Sequence, residues 1–131
     1  MTDVASLRHG HAFAQAKTLA ENANLPRNEV ESKIKGAAAG IIQNGLRLSL
    51  ARMKMLEDQA VEPALSNWLT HENCPGFITG LTPENLLEHL FSNEQINSRT
   101  LSILTRESLL YLDSFKPLSL ALLNTLSTSE A

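Results

Sequence analysis

Residues 33–56 read KIKGAAAGIIQNGLRLSLARMKML. Their apolar members recur three and four positions apart, which is the spacing of one face of an α-helix. We assign to this face Ala39, Ile42, Leu46, Leu50 and Met53. Each glycine inside a helix costs about 1 kcal/mol relative to alanine. The glycines of this segment therefore indicate close packing, close approach of a ligand, or a break of the helix near Asn44-Gly45.

The same segment is basic, although the chain as a whole has a formal net charge of -3. It contains no acid and five cations, namely Lys33, Lys35, Arg47, Arg52 and Lys54. Within residues 33–56 no cation has an acidic partner four positions away, so this segment does not neutralise its own charges in the usual way. A basic surface on an acidic protein is typical of contact with a polyanion or with an acidic partner.

The remaining sequence also has helical spacing, and runs of alternating apolar and polar residues are missing. We predict an all-α fold, a single compact bundle of five to six helices over residues 1–126, with a frayed C-terminal tail at 127–131. The first helix is expected from an Asp3 N-cap to about Asn22, and the second from about Arg27.

Three further helices are expected after the basic one. The third covers about Val61 to Thr70, with Leu65, Trp68 and Leu69 on its buried side. A loop over residues 71–80 should turn Phe77 and Ile78 inward. The fourth helix begins at a Thr82 cap and ends near Phe91, and Ser98 caps the last long helix, which Pro117 should kink or restart.

The last long helix carries the only other cations of the second half, Arg99, Arg106 and Lys116. Two long helices of a bundle often pack together, so these residues can extend the basic surface of the second helix. Neither helix offers a set of aromatic side chains for base stacking. This favours contacts to phosphates and sugars over contacts that recognise bases.

Residues suited to catalysis or metal binding are sparse. His9 and His11 are two positions apart, which places them on different faces of a helix, and no further ligands complete a metal site. Cys74, with His71 nearby, is a lone thiol without an orienting group. We therefore expect no enzymatic activity, no metal, no cofactor and no small-molecule substrate.

The single cysteine, Cys74, excludes an intrachain disulfide and favours a reducing compartment. The first residues lack the pattern of a secretory signal, and no stretch approaches the ~18 apolar residues of a membrane span. We expect a cytoplasmic protein with no membrane contact.

The run Gly40-Ile41-Ile42-Gln43-Asn44-Gly45-Leu46-Arg47-Leu48-Ser49-Leu50-Ala51 resembles a known signature. It is similar to the Ile-x-x-Asn-Gly-Leu-x-x-x-Leu-Ala/Ser motif in the second helix of the Cmr-type small subunit of type III-B CRISPR effector complexes. Later landmarks follow in the same order, first Trp68-Leu69, then Thr105-Arg106-Glu107 through Tyr111-Leu112 to Phe115-Lys116. The resemblance spans about residues 1–126. Two departures are Phe115, where the family often has Trp, and Pro117, and the Cys74 loop matches nothing in the family.

The resemblance implies a non-catalytic, all-helical subunit that acts in antiviral defence. Several copies of such a subunit stack along a filament of backbone subunits, near the large subunit, and line the channel that holds guide RNA and target RNA. Base pairing determines sequence specificity there, and the protein contributes shape and positive charge. The expected contacts to the RNA backbone are Arg47, Arg52 and Lys54, with Lys33, Lys35, Arg99, Arg106 and Lys116 as additions.

Two other functions remain open from the sequence. The chain could be a helical adaptor whose basic face docks an acidic protein partner without any nucleic acid. It could also be a small enzyme that uses Cys74, His71 or His89.

Overall fold

The computed structural model describes residues 3–22, 24–92 and 96–129, with side chains as far as residue 125. These residues form five α-helices and no strand, so the all-α prediction is confirmed. The helices are α1 (Val4–Glu21), α2 (Arg27–Met55), α3 (Glu62–Leu69), α4 (Leu86–Ser92) and α5 (Ser98–Ser129). The last helix lies at the centre, because it contacts α1, α2 and α3. Residues 130–131, the end of the expected frayed tail, lie outside the described residues.

Short polar side chains cap the chain at the starts of α1 and α5 and in the turn before α4. Asp3 Oδ1 accepts a hydrogen bond of 2.7 Å from the Ser6 N–H, as predicted for the N-cap of α1. Thr82 Oγ1 accepts from the Asn85 N–H at 3.2 Å, so Thr82 caps the turn that leads into α4. The cap of α5 is Asn97 rather than Ser98, because Asn97 Oδ1 accepts from the Thr100 N–H at 2.9 Å.

The centre of α2 is a sharp reversal at Gly45. This residue has φ 82° and ψ 163°, a conformation available almost only to glycine. It divides α2 into a first arm, residues 27–44, and a second arm, residues 46–55. The arms fold back on each other, since Lys33 and Leu56 line the same cleft although a straight helix would separate them by about 34 Å. The sequence had left this break open.

The break changes which residues of α2 are buried. The first arm buries Val30, Ile34, Ala37 and Ile41, and the second buries Leu46, Ser49 and Leu50. Ala39 is exposed and Ile42 is 71% exposed, so their predicted place in the core was wrong. The prediction counted three and four positions back from Leu46 to Ile42 and Ala39, as if α2 were one continuous helix. The helix is interrupted at Gly45, so residues on the two sides of Gly45 do not share one face.

Two smaller expectations about the later chain also change. Phe77 is 40% exposed, whereas the loop was expected to turn it inward, and Ile78 is half-buried. The last helix does not restart at Pro117, which lies inside α5. A proline removes the hydrogen bond to the carbonyl four residues earlier. That carbonyl belongs to Asp113, an exposed residue, so water can replace the missing donor.

Candidate nucleic-acid interface

The eight predicted cations differ in whether a carboxylate neutralises them. Within the described residues, seven of them make no ion pair, and Lys54 is the exception. Lys54 Nζ lies 2.6 Å from Glu62 Oε1 and 3.4 Å from the Pro83 carbonyl oxygen. Glu62 stands eight residues after Lys54, beyond the four-residue window considered in the sequence, and the turn between α2 and α3 brings it back. Lys54 therefore connects helices, and its charge is already balanced.

The reversal at Gly45 brings Lys33 and Arg52 to one cleft between the two arms of α2. The cleft has a volume of about 250 Å³, and Gly36 and Gly40 form part of its wall. Ser49 lies opposite Gly40, because a Cβ built on Gly40 would be 4.0 Å from Ser49 Oγ. In the sequence, 19 positions separate the two cations. Only the folded-back helix makes them neighbours.

Arg47 lies on a different side of the second arm. Its guanidinium carbon is 5.6 Å from the centroid of the Phe91 ring on α4, a cation–π distance worth about 0.5–1 kcal/mol at an exposed site. The ring itself is 49% exposed. Arg47, Arg52 and Lys54, which were expected together as contacts to the RNA backbone, therefore do not share one patch. Arg52 faces the cleft, while Arg47 and Lys54 face α4 and the start of α3.

The cations of α5 border a third surface, a groove of about 850 Å³ between α5 and the first arm of α2. Arg106 and Lys116 line it together with the exposed Ile42. Lys35 precedes Ile42 by seven residues, two helical turns, so it projects from the same face of the first arm. Arg99 is exposed and stands seven residues before Arg106 on α5. The sequence prediction that α2 and α5 pack together is confirmed, and two cations of α5, Arg106 and Lys116, line the groove between them.

A buried ion pair joins α1 to α5, and the sequence analysis missed it. Arg8 Nε lies 2.5 Å from Glu107 Oε1, and the Trp68 Nε1–H donates to the same oxygen at 3.0 Å. Glu107 is 3% exposed. Its position could have signalled this role, because it stands three residues after Leu104 and four before Tyr111, on the buried stripe of α5.

Histidine and cysteine side chains gather beside that ion pair without forming a reactive set. His11 is hydrogen-bonded to the Tyr111 hydroxyl at 2.9 Å and to Asn67 Oδ1 at 2.7 Å. Burial lowers the pKa of His11, and the charge of nearby His71 lowers it further, while the bond to Asn67 opposes the shift. Burial raises the pKa of the Cys74 thiol to about 12, and the Glu107 carboxylate adds to the shift. A thiol of this kind is almost fully protonated near neutral pH, which does not favour Cys74 as a nucleophile.

The described residues contain no group of three or more side chains that could hold a metal ion. None of the helices in the described part of the chain combines the length and hydropathy needed to cross a membrane. The chain matches no protein-family model, no curated protein and no solved structure. The class that the fold defines is a small all-α bundle, with most of its cations on α2 and α5.

Proposed function

We propose that the protein is a non-catalytic small subunit of a type III, Cmr-type CRISPR effector complex in the cytoplasm. In this role several copies stack along the backbone subunits, and a basic surface contacts the backbones of guide RNA and target RNA. The proposal combines the motif around Asn44-Gly45-Leu46 with the charge distribution on the two long helices.

The observation that carries the RNA contact is the set of cations without a carboxylate partner. Among the described residues, seven cations on two adjoining helices lack an ion pair, namely Lys33, Lys35, Arg47, Arg52, Arg99, Arg106 and Lys116. The other four cations differ. Arg8, Arg27 and Lys54 are paired with Glu107, Glu31 and Glu62, and Lys17 lies on α1. Unpaired cations that share adjoining helices suit the phosphates of a polyanion.

The spread of these cations over three surfaces suits a subunit within an assembly. A free protein with net charge -3 is repelled by RNA, and each isolated phosphate contact is weak. Within a filament, neighbouring subunits hold the RNA at a high effective concentration, so weak contacts at several points add together. The isolated chain is therefore expected to bind RNA poorly.

Charge reversal in the assembled complex tests the proposal. Arg47→Glu combined with Arg52→Glu should weaken retention of target RNA. The slope of the logarithm of the binding constant against the logarithm of the salt concentration should become shallower by about 0.7 for each phosphate that is no longer neutralised. Retention is measured by filter binding over a series of salt concentrations, with the complex verified intact. Arg52→Glu alone is compared with Lys17→Glu, since both reverse one exposed charge and Lys17 lies on α1. Equal retention by wild type and the double variant would contradict an RNA contact through these residues.

A second function is favoured by the groove between α5 and the first arm of α2. Its lining is mainly apolar, with Ile42, Leu109 and Leu110 beside Arg106 and Lys116. This combination suits an amphipathic, acidic protein segment, as expected for a helical adaptor without nucleic-acid contact. The two functions differ in the purified particle. Removal of the subunit should lower the 260/280 absorbance ratio if it retains RNA, and should leave it unchanged if it only docks a protein.

A further inference from the structure

The cleft between the two arms of α2 has features that the other basic surfaces lack. Lys33 approaches it from the first arm and Arg52 from the second, and neither has a carboxylate partner within the described residues. Gly36 and Gly40 form the intervening wall. A Cβ at Gly36 would meet nothing within 4 Å, so the missing side chains leave open space between the cations.

A buried hydroxyl at this cleft has no hydrogen-bond partner. Ser49 is 6% exposed, and its Oγ is one of two buried side-chain oxygens that lack a partner among the described residues. The other is Ser119 Oγ on α5, which does not line this cleft. An unpaired buried hydroxyl costs about 1–3 kcal/mol, so such groups are normally satisfied by protein, water or a ligand. Ser49 lines the cleft, and its Oγ lies at van der Waals distance from where a Cβ of Gly40 would stand, so the hydroxyl can donate to a group bound beside Gly40.

The net charge of the cleft is positive even when its one acid is included. Asp58 also lines it, and its Oδ1 already accepts hydrogen bonds from the Ala60 N–H at 2.7 Å and the Val61 N–H at 2.9 Å. Two cations and one carboxylate leave a net charge of +1. The volume of about 250 Å³ exceeds the roughly 30 Å³ that one water occupies in the liquid, so the cleft can hold a larger group.

We infer that this cleft is a site for a single phosphate group, bound by Lys33, Arg52 and the Ser49 hydroxyl. Two cations and one hydroxyl donor match the acceptor oxygens of a phosphate. Hydrogen bonds from a cation to a phosphate oxygen are stronger than hydrogen bonds between neutral groups. The assignment of the bound phosphate to an RNA backbone rests on the proposed function. The binding of a phosphate group in this cleft does not depend on that function.

The test uses the isolated chain, labelled with nitrogen-15 and titrated with inorganic phosphate while the amide resonances are followed by NMR. Saturable shifts are expected at the amides of Gly36, Gly40 and Ser49. Lys33→Gln and Arg52→Gln should each raise the dissociation constant about tenfold, and Ser49→Ala about fivefold. No saturable shift at these amides would overturn the inference.

Matched controls separate a built site from general charge attraction. Lys17→Gln removes one exposed cation on α1 that does not line the cleft. Ser119→Ala removes the other unpaired buried hydroxyl. Both should leave phosphate affinity unchanged. If Lys17→Gln weakens binding as much as Lys33→Gln, or if Ser49→Ala has no effect, the site does not exist as described. Circular dichroism confirms that each variant is folded.

Two further probes identify the source of the phosphate. Dimethyl phosphate carries the single charge of a backbone phosphodiester, and binding at the same amides supports an RNA backbone as the source. Binding of inorganic phosphate alone supports the site and assigns it to a free or terminal phosphate. Failure of the RNA role is distinguishable from failure of the site. Cleft shifts with phosphate, together with unaltered RNA retention by the Arg52→Glu complex, would keep the phosphate site and exclude its contact to RNA.

Discussion

Gly45→Ala tests the most consequential feature of the fold, the reversal within α2. At φ 82° and ψ 163° an alanine is strained by about 1–3 kcal/mol. A Cβ built on Gly45 meets nothing within 4 Å, so the substitution introduces backbone strain without a clash against neighbouring atoms. The free energy of unfolding should therefore fall by about 1–3 kcal/mol.

A competing outcome is that the alanine straightens α2 and removes the strain. A continuous helix would gain about 1 kcal/mol from replacing glycine by alanine. It would also draw the second arm out of the core, where Leu46 is 2% exposed and Leu50 is 0% exposed. Burying a leucine is worth about 1.5–3 kcal/mol, so straightening costs about 3–6 kcal/mol for these two residues. The relieved strain and the helical gain together come to about 2–4 kcal/mol, which is less than the cost at matching ends of the two ranges, so we expect the strained reversal to persist.

Urea denaturation followed by far-UV circular dichroism measures the effect. The matched control is Gly10→Ala in α1, where a Cβ also meets nothing within 4 Å but the residue is helical and exposed. This control should be stabilised by up to about 1 kcal/mol. The free energy of unfolding should fall for Gly45→Ala and rise for Gly10→Ala, with similar denaturant slopes for the two variants. Equal stabilisation of both variants would refute the reversal at Gly45.

Three further predictions concern the region where α1, α3 and α5 meet. Arg8→Ala leaves the Glu107 carboxylate buried without its cation, so urea denaturation should show a loss of about 3–5 kcal/mol. By contrast, Arg27→Ala, at a pair that is partly exposed to solvent, should cost about 1 kcal/mol or less. Cys74, with a pKa of about 12, should react with a thiol reagent at neutral pH only after unfolding, and rapid labelling of the native protein would contradict this. The pKa of His11 is lower in the folded protein than the 6.5 of an ordinary histidine, so the unfolded chain binds more protons on acidification. The free energy of unfolding should therefore fall as the pH drops below about 6.5, and His11→Gln should make this dependence shallower. A rise in stability on acidification would contradict the prediction.

Local signals in the sequence predicted most of the helices. Asp3 and Thr82 cap helical turns because their side-chain oxygens satisfy N–H groups close in sequence. Leu104, Tyr111 and Phe115 of α5 follow the spacing of one helical face, and all three are buried. The reversal at Gly45 could not be decided in this way. An Asn-Gly pair is compatible with a helix or with a break, and the burial of residues on both arms determines which one forms.

The candidate site was predicted in composition but not in arrangement. An acid-free run identified the cations of α2, because charge composition can be read without any geometry. Their division among three surfaces depends on the reversal, which turns Arg52 toward Lys33. The pairing of Lys54 with Glu62 was also missed, since it depends on the turn between α2 and α3.

The reversal and the phosphate cleft depend on each other, and the Gly45→Ala variant can show this. Lys33 and Arg52 are neighbours only while the arms are folded back, so a straightened α2 has no cleft. If the alanine is strained but held in place, the variant should lose stability and still show phosphate shifts at Gly36 and Gly40. If α2 straightens, those shifts should disappear together with the burial of the second arm. Measuring phosphate binding and unfolding on the same variant therefore distinguishes a strained reversal from a straightened helix. Full phosphate affinity in a variant whose α2 has straightened would show that the cleft is not the binding site.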